Sequence, residues 1–231
     1  MNTPIPWPRP SCSLMVSLWY TDLSTISSAQ LQQGLQELPG AMQAEIGRFR
    51  KAEDRKAKTW GRLLVRHYCE LRGIPFHWDQ WAKGPKGKPT LTSGPAFNIS
   101  HAGHWVVAAF ADAPVGVDIE CGPLQDVAAL QGHFHPQEQV YLQKENFQEE
   151  AFLRLWTRKE AFLKATGEGI AAGLNQHNCL PDRVAEATAW RLVSVPFQPP
   201  YSLAYCTSSS VADHRLRAWE ASQLLSNTLA L

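Results

Sequence analysis

The sequence predicts an α+β fold, in which helices pack against sheets of mostly antiparallel strands. One observation is a cluster of short apolar runs separated by tight turns, at residues 97–100, 105–110 and 115–120. A second is a strongly helical pattern over residues 149–166, which ends at Gly167. The third is the return of strand-like patterns after Gly173, at residues 187–195, 201–206 and 215–221.

The first third of the chain alternates between the two kinds of element. Weak alternation predicts a strand over residues 13–20, and a short helix follows over 28–37, closed near Gly40. A charged helical pattern then runs from residue 41 to residue 72. The strand patterns therefore have helices before them as well as after them.

The other predicted elements are punctuated by glycine and proline. Residues 82–90 are rich in both and are predicted to form a loop. Helices are expected at 124–131 and 137–145, with Pro136 at the start of the second. The change from strands to helices near Gly122 predicts two parts, 1–122 and 123–231.

Composition excludes several classes of protein. With 231 residues, 44% of them hydrophobic, the chain can bury a proper core, which argues against disorder. A net charge of +1 argues against nucleic-acid binding through bulk charge. The five cysteines lack a C-x-x-C pair, which disfavours a cysteine zinc site and a disulfide scaffold. No membrane span or signal-peptide pattern is evident, so we expect a cytoplasmic protein with no membrane partner.

Two carboxylates stand on one predicted strand. Asp118 and Glu120 are two residues apart, so they project from the same face, with Ile119 buried on the other. Two close acids repel each other unless a cation lies between them, and hard oxygen ligands suit magnesium. A solvated acidic face is the simpler alternative for this motif taken alone.

The helix over residues 149–166 carries a second candidate set. Trp156, Glu160 and Lys164 recur at intervals of four and share one face. A surface ion pair would explain the last two, but their apolar neighbours predict partial burial. A half-buried glutamate beside a lysine can serve as a general base, with the lysine on a phosphate.

The turn that contains Ser100 and His101 can present hydrogen-bond donors to a phosphate. An incidental hairpin turn is the alternative. A transition-metal site that uses His101 and His104 with Asp118 and Glu120 is another, although the spacing supports it weakly.

A basic segment covers residues 48–66, with eight basic and two acidic residues. The segment predicts either a solvated helix face or a surface for a phosphate-bearing ligand or an acidic partner. Lys88, in a glycine-proline loop, could add a phosphate donor.

The order of these motifs resembles that of the phosphopantetheinyl transferases of the surfactin-synthetase type. FNISHAG is followed by GVDIE and then by LWTRKEAFLKATGEGI, and the match covers roughly residues 45 to 175. The continuation over residues 169–176 is similar to the cyanobacterial branch. The resemblance implies two similar α/β halves related by pseudo-twofold symmetry, with coenzyme A in the cleft between them. It also implies a monomer that acts on apo acyl or peptidyl carrier proteins.

The resemblance further implies roles for individual residues. Asp118, Glu120 and Glu160 would bind Mg²⁺, with Glu138 as a further candidate ligand. Glu160 would also act as the base, and Asp118, Glu160 and Lys164 would form the catalytic set. Coenzyme A would be held by basic and polar residues from several motifs: Arg48, Arg50, Lys58, Lys88, Ser100, His101 and Lys164.

The sequence departs from the family in one place. Many relatives carry basic residues for the 3′-phosphate just before Arg48, whereas this chain has none over residues 42–45. Arg48, Arg50 or Lys58 could take the role. Two other functions remain open at this point: a metal-dependent hydrolase, and a non-catalytic module that binds carrier proteins or coenzyme A.

Overall fold

The computed structural model describes residues 15–84, 87–122, 132–169, 174–184, 189–208 and 213–225, and within them it contains both helices and sheets. The strands are β1 (Met15–Asp22), β2 (Trp81–Lys83), β3 (Pro89–Leu91), β4 (Ala96–Ala102), β5 (Trp105–Ala111), β6 (Val115–Cys121), β7 (Trp190–Val195), β8 (Tyr201–Ser208) and β9 (Asp213–Ala218). The helices are α1 (Ser28–Gln36), α2 (Gly40–Gly47), α3 (Ala52–Leu71), α4 (Pro136–Lys144) and α5 (Glu149–Thr166). The mixed α/β composition predicted from the sequence is confirmed.

Most predicted elements lie within a few residues of their expected positions, with three differences. The helical pattern over residues 41–72 is broken between α2 and α3, where Arg55 donates hydrogen bonds to the carbonyls of Phe49 and Arg50. The loop predicted over 82–90 overlaps at both ends with the short antiparallel strands β2 and β3, which include residues 82–83 and 89–90. The helix expected at 124–131 lies outside the described residues.

Four strands form the first sheet, in the order β4-β5-β1-β9. β4 and β5 pair antiparallel, as do β5 and β1, whereas β1 and β9 run parallel. On one face, Trp19 and Phe110 pack against α3 through Trp60 and Leu64. The chain therefore returns from its C-terminal part to complete the first sheet.

The second sheet has the order β6-β8-β7, and both pairings are antiparallel. Its strands alternate between two buried faces, as the twofold period of a strand requires. Leu203 and Tyr205 face the first sheet, whereas Ala204 and Cys206 face α5. The molecule is thus layered as α3, first sheet, second sheet and α5.

α5 lies unusually close to β6 at Gly116. A Cβ atom added to Gly116 would lie 2.1 Å from the carbonyl oxygen of Ala161 and 2.4 Å from the backbone nitrogen of Ala165. Only a residue without a side chain allows this approach. α5 ends at Gly167, whose left-handed conformation (φ 77°) gives its N–H to the carbonyl of Leu163.

The edges of the two sheets meet at β4 and β6. The backbone N–H of Val117 donates to Oδ1 of Asn98 over 2.9 Å, and Ser100 contacts Asp118 across the same junction. None of the helices in the described part of the chain has the length and apolar character needed to cross a bilayer.

Candidate active site

The polar face of β6 is turned towards α5. Val115, Val117 and Ile119 are fully buried in the core between the sheets. Because side chains alternate along a strand, Asp118 and Glu120 point the other way, as predicted. The strand thereby brings two acids to the helix that carries Glu160 and Lys164.

Asp118 is the centre of the polar contacts at this junction. Its side chain is almost fully buried, and its Oδ1 atom accepts hydrogen bonds from Ser100 Oγ over 2.8 Å and from Lys164 Nζ over 2.5 Å. Lys164 Nζ also donates to Ser100 Oγ over 3.1 Å. Three residues predicted from separate motifs therefore form one hydrogen-bonded cluster.

Two buried carboxylate oxygens beside this cluster are without a partner. Within the described residues, neither Oδ2 of Asp118 nor Oε1 of Glu160 accepts a hydrogen bond. Buried polar atoms are normally satisfied, so each exception calls for an explanation, of which a bound cation is one. Unpaired carboxylate oxygens are also the donors that Mg²⁺ selects.

Burial shifts the pKa of all three acids upward. Burial raises the pKa of Asp118, and the Lys164 ammonium partly offsets this effect. Burial and then the neighbouring Asp118 raise the pKa of Glu120 to about 7. Burial also raises the pKa of Glu160. Acids with raised pKa values at one place are a feature of metal and catalytic sites.

A cavity of about 280 Å³ opens beside these groups. Its walls include Glu160 and Lys164 from α5, together with Lys88 and Asn98. A larger cavity of about 940 Å³ lies elsewhere, beside Leu153, Phe197 and Tyr201, and holds none of the predicted site residues. The smaller cavity is the candidate site because it contains the chemical groups.

Lys88 reaches this cavity from the segment before β3. Its ammonium donates to the carbonyl oxygens of Val115, over 3.0 Å, and Lys164, over 2.5 Å. An ammonium has three donors, so one remains for a ligand. Lys88 therefore links the start of β6 to the last turn of α5 and still lines the cavity.

The two histidines of the turn have different environments. Nε2 of His101 lies 3.7 Å from Oδ1 of Asp54, and burial followed by the Lys58 ammonium lowers the pKa of His101. Nδ1 of His104 is 3.0 Å from the hydroxyl of Tyr201. Among the described residues no group of three His, Cys, Asp or Glu side chains is placed to hold a metal ion by itself, and this applies to the three acids Asp118, Glu120 and Glu160 as well as to the histidines. The pairing of His101, His104 and Asp118 that a transition-metal site would need is therefore not formed.

Some residues of the basic segment are exposed to solvent, and others line a second cavity. Arg48 and Arg50 are exposed and line neither cavity near the cluster. Lys58 lines a cavity of about 200 Å³, which also contacts His101. Burial and then Arg62 lower the pKa of Lys58. Only part of the predicted coenzyme A set is therefore close to the cluster.

Glu138 is not brought to the cluster. It is fully buried on α4, and Lys159 Nζ contacts its two oxygens at 2.9 and 2.6 Å. The backbone N–H groups of Cys179 and His135 donate to the same carboxylate. Its oxygens are already engaged in holding α4 against α5.

Two positions were missed by sequence reasoning. Asn98 anchors β4 to Val117, and Gly116 permits the close approach of α5. The twofold period could have identified Asn98, because it shares a strand face with Ser100. Gly116 gives no such signal, because its role depends on the distance to another element.

Comparison with known proteins decides the family. Residues 114–216 match the model described as the 4′-phosphopantetheinyl transferase superfamily, and residues 25–112 match that described as 4′-phosphopantetheinyl transferase, N-terminal. The 4′-phosphopantetheinyl transferase psf-1 of Bacillus pumilus is 33% identical over 199 residues, which cover 79% of this chain and 84% of that protein. The chain belongs to the 4′-phosphopantetheinyl transferases. This confirms the resemblance to the surfactin-synthetase type.

Two other phosphopantetheinyl transferases match over shorter stretches. The 4′-phosphopantetheinyl transferase gsp of Aneurinibacillus migulanus is 36% identical over 131 residues, covering 55% of each chain. The human L-aminoadipate-semialdehyde dehydrogenase-phosphopantetheinyl transferase is 34% identical over 150 residues, covering 57% of this chain and 48% of that protein. The matches to these two relatives thus cover about half of their lengths.

Proposed function

We propose that this phosphopantetheinyl transferase moves the 4′-phosphopantetheine arm of coenzyme A onto a serine of an apo acyl or peptidyl carrier protein. The products are the holo carrier protein and 3′,5′-ADP. The observation that carries the proposal is the cluster of Asp118, Ser100 and Lys164, beside which one oxygen each of Asp118 and Glu160 lacks a hydrogen-bond partner within the described ranges.

Two of the acids, Asp118 and Glu160, offer free oxygens of the kind that suits a magnesium ion. Mg²⁺ commonly takes one or two protein carboxylates and completes its shell with phosphate oxygens and water. The free oxygens of Asp118 and Glu160 meet that requirement, and Glu120 is the third candidate ligand on the same strand face. When bound, the ion would neutralise charge on the pyrophosphate of coenzyme A.

The cations of the cavity would hold the pyrophosphate. The ammonium of Lys164 uses two of its donors on Asp118 and Ser100 and is partly exposed, so a third donor can reach a phosphate oxygen. Lys88 has one donor left in the same cavity. Ser100 and His101 lie on β4, which borders this cavity. They are the other residues proposed to contact the phosphates.

Glu160 is proposed as the base. Its raised pKa makes it a better proton acceptor near neutral pH than an exposed glutamate. Directly or through a water, it takes the proton from the carrier serine. The serine oxygen then forms a bond to the β-phosphorus, and the bond between that phosphorus and the departing 3′,5′-ADP breaks.

The alternatives receive less support. A hydrolase using His101, His104 and Asp118 requires ligands that contact Asp54 and Tyr201 instead. A binding module without catalysis does not explain why acid, base and lysine are assembled at one cavity. Membership of a transferase family favours catalysis over both.

Several expectations remain part of this proposal. They are a monomeric, cytoplasmic enzyme, a position in the cyanobacterial branch, and two pseudo-symmetric halves, 1–122 and 123–231, with coenzyme A between them. The layered order of two sheets and flanking helices is consistent with two halves. The two sheets do not divide the chain at residue 122. β6, from the first half, pairs with β8, and β9, from the second half, pairs with β1.

The direct test is intact-mass spectrometry of an apo carrier protein incubated with this protein, coenzyme A and Mg²⁺. We expect a gain of one phosphopantetheine arm, and its loss when EDTA is added. A panel of acyl and peptidyl carrier proteins should be tested, because the sequence does not specify the carrier. No gain with any of them, with the enzyme folded and Mg²⁺ present, would contradict the proposal.

A further inference from the structure

α5 runs along β6 in the opposite direction. At one end, a Cβ atom on Gly116 would meet the backbone of Ala161. At the other end, a Cβ atom on Gly122, the residue that follows β6, would meet the side chain of Glu149 at the start of α5. Glu120 stands between these two contacts on the strand, and it therefore lies opposite the middle turns of the helix.

The residue of α5 that meets Glu120 is Trp156. Its indole N–H donates a hydrogen bond to the carboxylate of Glu120. Trp156 also lies four residues before Glu160, on the same face of the helix. The indole N–H is the single polar group of a tryptophan side chain. One aromatic residue therefore lies beside two of the acids proposed to bind Mg²⁺, and its polar group is used on one of them.

The ring of Trp156 is held in place by two phenylalanine rings that lie nearly parallel to it. Its plane is within 9° of that of Phe152, at a centroid distance of 6.3 Å, and within 18° of that of Phe134, at 6.2 Å. Phe134 and Phe152 are each 1% exposed, so they are fixed in the core around α5. Because this stack fixes the plane of the indole, it also fixes the direction of the N–H.

We propose that Trp156 is a positioning residue, whose hydrogen bond holds the Glu120 carboxylate in the orientation that binds Mg²⁺. This inference rests on the proposed function. A glutamate side chain can adopt several rotamers, and it binds a metal best when a neighbouring group fixes its direction. A single N–H engages one oxygen of Glu120 and leaves the other for the ion. The aromatic stack thereby links the apolar core around α5 to the geometry of the acids.

The experiment measures the affinity for Mn²⁺, which prefers the same oxygen ligands as Mg²⁺ and is detected by electron paramagnetic resonance. The titration uses metal-free protein, alone and with coenzyme A, and no carrier protein. Trp156→Phe is the test variant, because it keeps a ring in the stack and removes the N–H. We expect Mn²⁺ to bind about ten-fold more weakly to this variant, since loss of a hydrogen bond to a metal ligand commonly weakens binding by roughly 10–100-fold.

The matched control is Trp190→Phe. Trp190 packs on the same apolar cluster, next to Phe162, but it lies on β7, the strand of the second sheet that does not pair with β6. Its affinity for Mn²⁺ should equal that of the wild type. Trp156→Leu removes the ring as well as the N–H. It should weaken Mn²⁺ binding as much as Trp156→Phe does and should lower the thermal midpoint further, which separates the hydrogen bond from the packing.

A double-mutant cycle tests whether Trp156 acts through Glu120. In the Glu120→Gln background, Trp156→Phe should change the affinity for Mn²⁺ by less than about two-fold, because the carboxylate that it orients is absent.

Three results would overturn the inference: an unchanged Mn²⁺ affinity in folded Trp156→Phe, an equal loss in both backgrounds, or no Mn²⁺ binding to the wild type. Metal binding also separates this inference from the proposed function. If the wild type modifies no carrier protein but the Mn²⁺ affinities follow the expected pattern, the proposed function fails and the role of Trp156 stands.

Discussion

At the scale of single residues, the site depends on two acids that burial makes unusual. Asp118 is paired on one oxygen by Ser100 and Lys164, and its other oxygen has no partner among the described residues. On the facing helix, Glu160 has a buried oxygen that no residue in the described part of the chain contacts by a hydrogen bond. A buried carboxylate oxygen without a hydrogen bond lowers the stability of the folded protein. Sites that bind a charged ligand usually contain such destabilising groups.

Replacing either acid should abolish transfer and leave the fold intact. Asp118→Asn and Glu160→Gln keep the shape and remove the charge, so we expect kcat to fall by about 100-fold or more. The thermal midpoint should not fall, because an uncharged group is easier to bury than the carboxylate. Transfer is measured by intact mass and folding by circular dichroism.

The control for this pair is Glu150→Gln, an exposed acid in the first turn of α5, which should behave as the wild type. Near-normal turnover in Asp118→Asn or Glu160→Gln would remove that residue from the mechanism.

At the scale of elements, the site depends on how closely α5 lies on β6. Gly116 sets that distance, since any Cβ there meets the backbone of Ala161 and Ala165. The same helix carries Glu160 one residue before Ala161 and Lys164 one residue before Ala165. The distance between α5 and β6 therefore also sets the positions of Glu160 and Lys164 in the site.

Gly116→Ala should damage stability and activity together. The added methyl group pushes α5 away from β6, which we expect to cost about 2–4 kcal/mol of unfolding free energy. The displacement also moves Lys164 from Asp118, so kcat should fall in protein that is still folded at low temperature. Urea unfolding and transfer assays at 10–15 °C would measure the two effects.

Gly47→Ala is the matched control, because a Cβ there has open space. It lies in a helix, where alanine is favoured over glycine, so its stability should be unchanged or higher by up to about 1 kcal/mol. Wild-type stability and activity in Gly116→Ala would show that the close approach does not constrain the site.

The contact between α4 and α5 is electrostatic as well as apolar. Glu138 and Lys159 form a buried ion pair in which both side chains are at most 3% exposed. Removing one partner of such a pair leaves a buried charge without compensation. This contact has a structural role, in contrast to the pair formed by Asp118 and Lys164.

Lys159→Met should therefore destabilise the protein by about 3–5 kcal/mol. Adding Glu138→Gln should recover much of that loss, because the amide is neutral and can still accept the N–H of Cys179. The recovered variant should need no more Mg²⁺ than the wild type. Lys144→Met, at an exposed position of α4, serves as control. A higher Mg²⁺ requirement in the recovered variant would return Glu138 to the list of ligands.

At the scale of the whole molecule, four layers surround the polar junction at which β4 meets β6. α3 covers the first sheet, the second sheet packs on its other face, and α5 closes the outside of the second sheet. Asn98 joins the sheet edges at Val117, one residue from Asp118. Acids on a strand and a helix thus come together in a buried place beside the edge of the first sheet, which couples their ionisation to global stability.

The stability of the protein should consequently depend on pH and Mg²⁺ together. The pKa of Glu120 is raised from 4.5 to about 7, so without metal its ionisation disfavours the folded state, and stability should fall as pH rises from about 4.5 to 7. Mg²⁺ binds the ionised form, so it should raise the thermal midpoint more at pH 8 than at pH 6. Differential scanning fluorimetry with EDTA or Mg²⁺ would measure this.

Glu120→Gln should flatten this dependence, because it removes the group that titrates. An equal effect of Mg²⁺ on the wild type at both pH values would argue against a carboxylate site in which Glu120 takes part.

The sequence by itself determined the elements and the chemical types at the site. Local periodicity predicted that Asp118 and Glu120 share one face of a strand, that Glu160 and Lys164 share one face of a helix, and that α5 covers residues 149–166. Motif order predicted the family. These are properties of residues close in the chain, where backbone geometry fixes the direction of each side chain.

Only the tertiary structure decided which of these residues meet. It placed Glu138 against Lys159, left Arg48 and Arg50 exposed, and brought Arg62 to a cavity that local periodicity does not reveal. It also set the distance between α5 and β6 through Gly116. These outcomes depend on burial and on contacts between residues far apart in the chain, and the pattern of neighbouring residues does not encode such distances.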